Sequence, residues 1–175
     1  ALSLNSNGNG SVSYEDLKFP LRGLLLSGGH TQMIKVDRVG VYEILGDTLD
    51  DALGEAYDKV GRMLDLGYPA GPVITEFAKL GDPTAFDLPI PLSKDPRVDF
   101  SYSGLKTAVF YKLKKIQEMR DLTQKEIYDM CASFERVAIA HIQQKLKKVL
   151  KKGDYKMLLA GGGVTASPKL RKGIR

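Results

Sequence analysis

Two short apolar runs, Leu21–Leu26 and Met157–Ala160, each lead into consecutive glycines, Gly28-Gly29 after Ser27 in the first case and Gly161-Gly162-Gly163 in the second. Apolar runs this short, bounded by glycine, read as buried strands rather than helices. Glycine lets the backbone turn sharply or approach a ligand closely, and successive N–H groups in such turns form a concavity that suits anions. After the first turn, His30–Val36 alternates as a return strand and Val41–Leu45 follows as a third, which predicts an antiparallel meander. After the second, Ser167-Pro168 reads as an N-cap followed by proline at the first helical position, so the late glycines lead toward a helix N-terminus that favours negative or polar groups. An ordinary hairpin or strand-to-helix bend explains either turn alone, and their order is more informative than either.

Between the turns the apolar period becomes helical. Leu53, Ala56, Tyr57, Val60, Met63 and Leu64 predict a helix ending near Gly67, with Asp50 and Asp51 suited to the positive end of its dipole. Tyr68-Pro69-Ala70-Gly71-Pro72 is a rigid turn, and Val73–Leu80 begins a further helix with Pro72 near its start. The stretch 83–100, with Pro83, Pro89, Pro91 and Pro96, reads as an irregular connector. A helix is expected from Ser103 to Lys115 and a longer one from Thr123 to Lys152, whose stripe of Phe134, Ala138, Ile142, Leu146 and Val149 is core. Residues 1–20, with the Asn/Ser/Gly stretch Asn5–Ser13, read as a flexible loop or cut end, and 21–175 as one α/β lobe.

The net charge of +5 is unevenly spread: Lys112–Lys115, Lys145–Lys152 and Lys169–Arg175 are basic, whereas Glu43–Asp58 is acidic. Basic runs of this kind are solvated helix faces or contacts to nucleic acid. The single cysteine, Cys131, excludes an internal disulfide and a multi-cysteine zinc site, and fits a buried thiol in a reducing, cytoplasmic setting. No apolar run approaches the roughly 20 residues that cross a bilayer, so no membrane partner is expected.

The order of hairpin, third strand, helices, then a strand ending in glycines before a helix is similar to the second, ribonuclease-H-like lobe of the actin-like ATPases, with inserted helices. In that group the hairpin cradles phosphates and the late glycines receive adenosine. At the level of residues, four ordered motifs look like one family: Leu25-Leu26-Ser27-Gly28-Gly29-His30-Thr31-Gln32; Leu45-Gly46-Asp47-Thr48-Leu49-Asp50-Asp51-Ala52 with Gly54-Glu55-Ala56-Tyr57-Asp58-Lys59; Tyr68-Pro69-Ala70-Gly71-Pro72; and Asp99-Phe100-Ser101-Tyr102-Ser103-Gly104-Leu105-Lys106-Thr107. They resemble the tRNA threonylcarbamoyladenosine-forming transferases, earlier described as sialoglycoprotein endopeptidases, from about Leu21 onward.

The resemblance implies transfer of a threonylcarbamoyl group from threonylcarbamoyl-AMP to the adenosine beside the tRNA anticodon, with accessory proteins of that pathway as partners. It assigns Leu25, Leu26, Ser27, Gly28 and Gly29 to the phosphate-facing loop, and Asp58 and Gly71 to contacts with ribose or adenosine. A carboxylate at Asp58 can accept from both sugar hydroxyls. Thr75 stands where many relatives are acidic, Ser167 where asparagine is usual, and Ala70 where the turn usually has glycine, which matters only if that position needs positive φ. The family also implies a divalent metal of the iron or zinc kind, held by a His-x-x-x-His pair and a late aspartate that this sequence lacks, its only histidines being His30 and His141. The expectation is therefore an adenine nucleotide site without catalytic or metal-ligating residues, an isolated chain that does not turn over, and self-association through an exposed interlobe face. A non-catalytic nucleotide- or tRNA-binding module is the alternative; a metalloprotease is disfavoured because no His-Glu-x-x-His occurs.

Overall fold

The computed structural model describes residues 14–151 and 153–174. The stretch Asn5–Ser13, read above as a loop, lies outside them, as do Lys152 and Arg175 of the basic runs. Four strands, β1 (Leu21–Leu26), β2 (Thr31–Arg38), β3 (Val41–Gly46) and β4 (Met157–Gly161), form one mixed sheet in the order β3-β2-β1-β4. β1 runs antiparallel to β2 and parallel to β4, with Leu24 opposite Met33 on one side and Ala160 on the other. A parallel neighbour needs a long crossover, which the helices between β3 and β4 supply.

Those helices are α1 (Leu53–Met63), α2 (Gly71–Phe77), α3 (Ser103–Gln117) and α4 (Gln124–Leu150), with α5 (Pro168–Gly173) after β4. They cover one sheet face, where Leu24, Leu26, Met33 and Ala160 join Phe134, Ala138 and Ile142 in the core. Successive strand residues point to opposite faces, so Ile34, Val36, Tyr42 and Ile44 share the other side, where Tyr42 and Ile44 are 69% and 50% exposed. α4 starts at a capping box in which Thr123 and Glu126 satisfy each other's backbone N–H groups. The Arg120 guanidinium and the Thr123 backbone and hydroxyl hold the Glu126 carboxyl down at about 2.

The core stripe of α4 is as expected, but the helix is buried well beyond it. Lys145, in a basic run read as a solvated face or a contact to nucleic acid, has no exposed surface, and its Nζ donates to the Arg97 carbonyl at 2.9 Å. Lys148 donates to the Asp95 carbonyl. These lysines clamp the irregular connector onto α4, because an ammonium can satisfy carbonyls that no regular ladder reaches. α1 also ends earlier than expected, at Met63, with the Leu66 N–H folded back onto the Gly61 carbonyl at 2.9 Å. α2 is displaced from its expected span and covers Gly71–Phe77.

Asp50 and Asp51 do not serve the start of α1. Asp50 accepts from the backbone N–H groups of Tyr102 (2.8 Å) and Ser103 (3.1 Å) and from the Ser101 hydroxyl (2.6 Å), so it caps α3 across 52 residues of chain. Asp51 bridges Lys59 of α1 at 2.5 Å and Lys106 of α3 at 2.6 Å. Burial works against its charge, yet the two lysines outweigh that and hold its carboxyl below the usual range. Gln32 donates to Asp47 Oδ2 at 2.9 Å, the Asp47 N–H donates to Asp99 Oδ1, and the Asp47 carbonyl accepts the Phe100 N–H. Much of the second and fourth sequence motifs is thus a polar seam that locks α1, α3 and the sheet together.

Candidate functional site

Three chain segments meet at the end of β1 and β4. The hairpin turn is closed by two bonds between the same residues: Ser27 N–H donates to the His30 carbonyl at 2.8 Å, and His30 N–H to Ser27 Oγ at 3.0 Å. α1 starts against this turn, its first N–H groups donating to Thr31 Oγ1 (2.8 Å, from Leu53) and to the Ser27 carbonyl (3.2 Å, from Gly54). The approach is possible only for glycine, because a Cβ on Gly54 would lie 2.7 Å from Gly28 Cα and 2.8 Å from the Ser27 carbonyl oxygen. On the other side Gly162 adopts φ +102°, and a Cβ there would lie 2.2 Å from the Leu26 carbonyl oxygen.

The second segment is the turn before α2, which includes a cis Tyr68-Pro69 bond. Asp58 Oδ1 accepts the Ala70 N–H at 2.8 Å and so fixes this turn to α1. Ala70 sits at φ −88°, where any residue fits, and its methyl group lies over Gly61, where an added Cβ would come within 2.0 Å of it. The alanine therefore asks nothing unusual of the backbone.

The third segment follows β4. Gly161 ends the strand, Gly163–Ala166 adds one 3₁₀ turn, and α5 starts after Ser167 with Pro168 in its first turn, as expected. Ser167 Oγ accepts the Leu170 N–H at 3.3 Å, the predicted cap. α5 is held by Arg171 on the Thr165 carbonyl (2.8 Å), Gln143 on the Gly173 carbonyl (2.7 Å) and an ion pair of Lys169 with Glu135 (3.1 Å).

Together these segments enclose a cavity of about 360 Å³. The hairpin contributes Gly28, α1 contributes Gly54, Tyr57 and Asp58, and the turn and α2 contribute Pro69, Gly71, Thr75 and Glu76. The far wall is Gly163, Val164, Ser167 and Pro168. Gly28, Asp58, Gly71, Thr75 and Ser167 are thus brought together, although they span most of the chain.

The rest of the expected phosphate loop is not. Leu25 and Leu26 are strand residues, the Leu26 side chain has no exposed surface, and the Ser27 N–H is used in closing the turn. Of that loop only Gly28 lines the cavity, and Gly29 is exposed beside it. Asp58 Oδ1 already holds the Ala70 N–H, so Oδ2 is the oxygen left without a bond to the turn.

Glu135 of α4 went unread in the sequence. It has no exposed surface, and Oε1 accepts from Thr75 Oγ1 at 3.1 Å while Oε2 faces Lys169. A carboxylate thus backs Thr75 from behind the cavity wall. No local signal marks an acid on a long helix as buried. Its charge has further effects. Burial, and then Glu135, push the Tyr57 phenol well above its ordinary range and the Cys131 thiol up to about 12. Both shifts favour the protonated form of the group.

His141 lies between the rings of Phe100 and Tyr102, accepts the Ser101 N–H at 3.3 Å through Nε2, and is pushed down to about 4 by burial. Among the described residues no three His, Cys, Asp or Glu side chains form a set that could hold a metal. His141 is enclosed and His30 is an exposed turn residue, so these side chains do not fit a divalent ion. Among the described residues, too, no helix is long and apolar enough to cross a membrane.

Residues 6–175 match the model of the family TsaD, tRNA N6-adenosine threonylcarbamoyltransferase. Curated relatives of that name include proteins of Albidiferax ferrireducens (43% identical, covering 91% of this chain and 47% of the relative), Fervidobacterium nodosum (42%, 94% and 49%) and Sinorhizobium medicae (43%, 92% and 46%). The chain spans just under half the length of the relatives it matches.

Proposed function

The chain belongs to the tRNA N6-adenosine threonylcarbamoyltransferase family, and on that premise we propose that it forms the adenylate-binding part of an enzyme that transfers threonylcarbamoyl from threonylcarbamoyl-AMP to the adenosine beside the tRNA anticodon. The observation behind this reading is the single cavity shared by Gly28, Asp58, Gly71 and Ser167. The adenylate phosphate meets the free N–H groups at the hairpin tip, the free oxygen of Asp58 accepts from the ribose, and adenine lies along Val164 and Pro168. Ser167 has a hydroxyl hydrogen left to donate, since its oxygen caps α5.

In the transfer, the acceptor amine attacks the carbamoyl carbon of the donor and AMP leaves. The donor is already activated, so what these residues supply is orientation of the adenylate rather than a local nucleophile. Tyr57 and Cys131 stay protonated and His141 stays neutral, in keeping with that division of labour. The four-stranded sheet and its helices are, on this reading, the second lobe of an actin-like fold with inserted helices, occupying residues 21–175. The partners are tRNA and accessory proteins of the same pathway, and the exposed Tyr42 and Ile44 favour self-association of the isolated chain.

Calorimetric titration with AMP tests the site. Asp58→Asn keeps an acceptor for the Ala70 N–H but weakens the ribose contact, so affinity should fall roughly tenfold at unchanged stability. Equal affinity in the wild type and Asp58→Asn would remove the ribose from Asp58.

A further inference from the structure

A second cavity, of about 410 Å³, opens at the opposite end of β1 from the first. Its charged lining is Arg22 of β1 with Lys148 and Lys151 at the end of α4, and among the described residues no acid lines it. Leu45, Pro96, Val98 and Val149 form apolar walls. Arg22 is the unusual member. It is 5% exposed, and its Nε and Nη1 are buried without a hydrogen-bond partner among the described residues. The nearby acid Asp95 is already paired with Arg97 at 2.6 Å, and its carbonyl holds Lys148.

A guanidinium stays charged at any accessible pH, so it cannot escape burial by losing a proton, as a lysine can. Buried without a partner, such a charge is costly. An anion supplied from outside relieves that cost through a charge-assisted hydrogen bond to the guanidinium. The cavity falls within the roughly 300–1,000 Å³ of small-ligand pockets and exceeds what one inorganic anion fills. Its apolar walls suit a sugar or base attached to the phosphate.

We propose that the Arg22 cavity is a second phosphate site, which takes the phosphate of a nucleotide, free or within an RNA strand. It is separate from the first cavity and does not depend on the function proposed for that one. Lys148 and Lys151 add charge at the rim, and Arg22 forms the buried floor.

The test follows the Arg22 Nε–H resonance of the ¹⁵N-labelled chain, assigned by its loss in Arg22→Met. Inorganic phosphate, AMP and a short RNA lacking terminal phosphates are titrated at constant ionic strength, with sodium chloride as control. A saturable shift of this resonance with phosphate-bearing ligands but not with chloride is expected, and Lys148→Met should weaken it roughly tenfold. Equal response to phosphate and AMP identifies the free group as the source; tighter response to RNA identifies the phosphodiester. Arg22→Met should leave AMP-induced shifts at Gly28 and Gly163 unchanged, and its ligand-free melting temperature should equal or exceed that of the wild type. If Arg22→Met does not fold, Arg22→Lys provides the assignment, and Lys151→Met joins Lys148→Met in the affinity comparison. No saturable shift with any of the ligands, or a lowered melting temperature in Arg22→Met together with no phosphate response, overturns the proposal.

Discussion

The close approach of α1 to the hairpin turn can be tested by adding a single methyl group. In Gly54→Ala the new Cβ would start 2.7 Å from Gly28 Cα, and reaching the roughly 3.5 Å of ordinary carbon–carbon contact needs a movement of about 0.8 Å. The Gly54 N–H bond to the Ser27 carbonyl is already 3.2 Å long and would not survive such a shift. Overpacking costs about 1–3 kcal/mol and the lost bond about 1, against a helix-propensity gain of at most about 1. The net loss of about 2 kcal/mol lowers the melting temperature by roughly 4–8 °C in a domain of this size. Because the same shift displaces the hairpin tip, AMP affinity should fall about tenfold. Gly71→Ala is the control: an added Cβ there meets nothing within 4 Å, yet Gly71 lines the cavity. It should keep the wild-type melting temperature and still weaken AMP. Thermal unfolding with and without AMP measures both effects. A Gly54→Ala protein as stable as the wild type, with unchanged AMP affinity, would refute the argument that this contact shapes the site.

Two further predictions concern the scaffold. Gly61→Ala should cost about 1–3 kcal/mol because its Cβ would lie 2.0 Å from the Ala70 methyl group. Adding Ala70→Gly removes that methyl and should recover most of the loss, a coupling that denaturant unfolding of the four proteins of the cycle would measure. His141, held at about 4 by burial and near 6.5 when unfolded, binds its proton more readily in the unfolded chain. Its contribution is fully present above about pH 6.5 and is lost as the pH falls toward 4, a change of about 3 kcal/mol. His141→Gln should remove that part of the decline in urea unfolding between pH 7 and 4, leaving the part due to carboxylates.

What was legible in the sequence is what depends on near neighbours. The apolar run of β1, the alternation of β2, the turn glycines, the Ser167 cap and the α4 stripe all follow from residues a few positions apart. Asp50 shows the limit. An acid just before a helix reads as a partner for that helix, whereas its carboxylate caps α3 about fifty residues later. Lys145 and Glu135 show it again: both look like surface residues of a charged helix, and both are fully buried because the connector and α5 fold over them. The site was half legible for the same reason. Its residue types came from motifs, but which N–H groups remain free depends on the bonds between Ser27 and His30, and the carboxylate behind Thr75 comes from a helix 60 positions away.

The most direct test of the central claim is a crystal structure of the chain with AMP. The account predicts adenosine between Asp58, Gly71 and Val164, with its phosphate at the Gly28-Gly29 tip. Adenosine bound away from that cavity, or a cavity empty at saturating AMP, would contradict it.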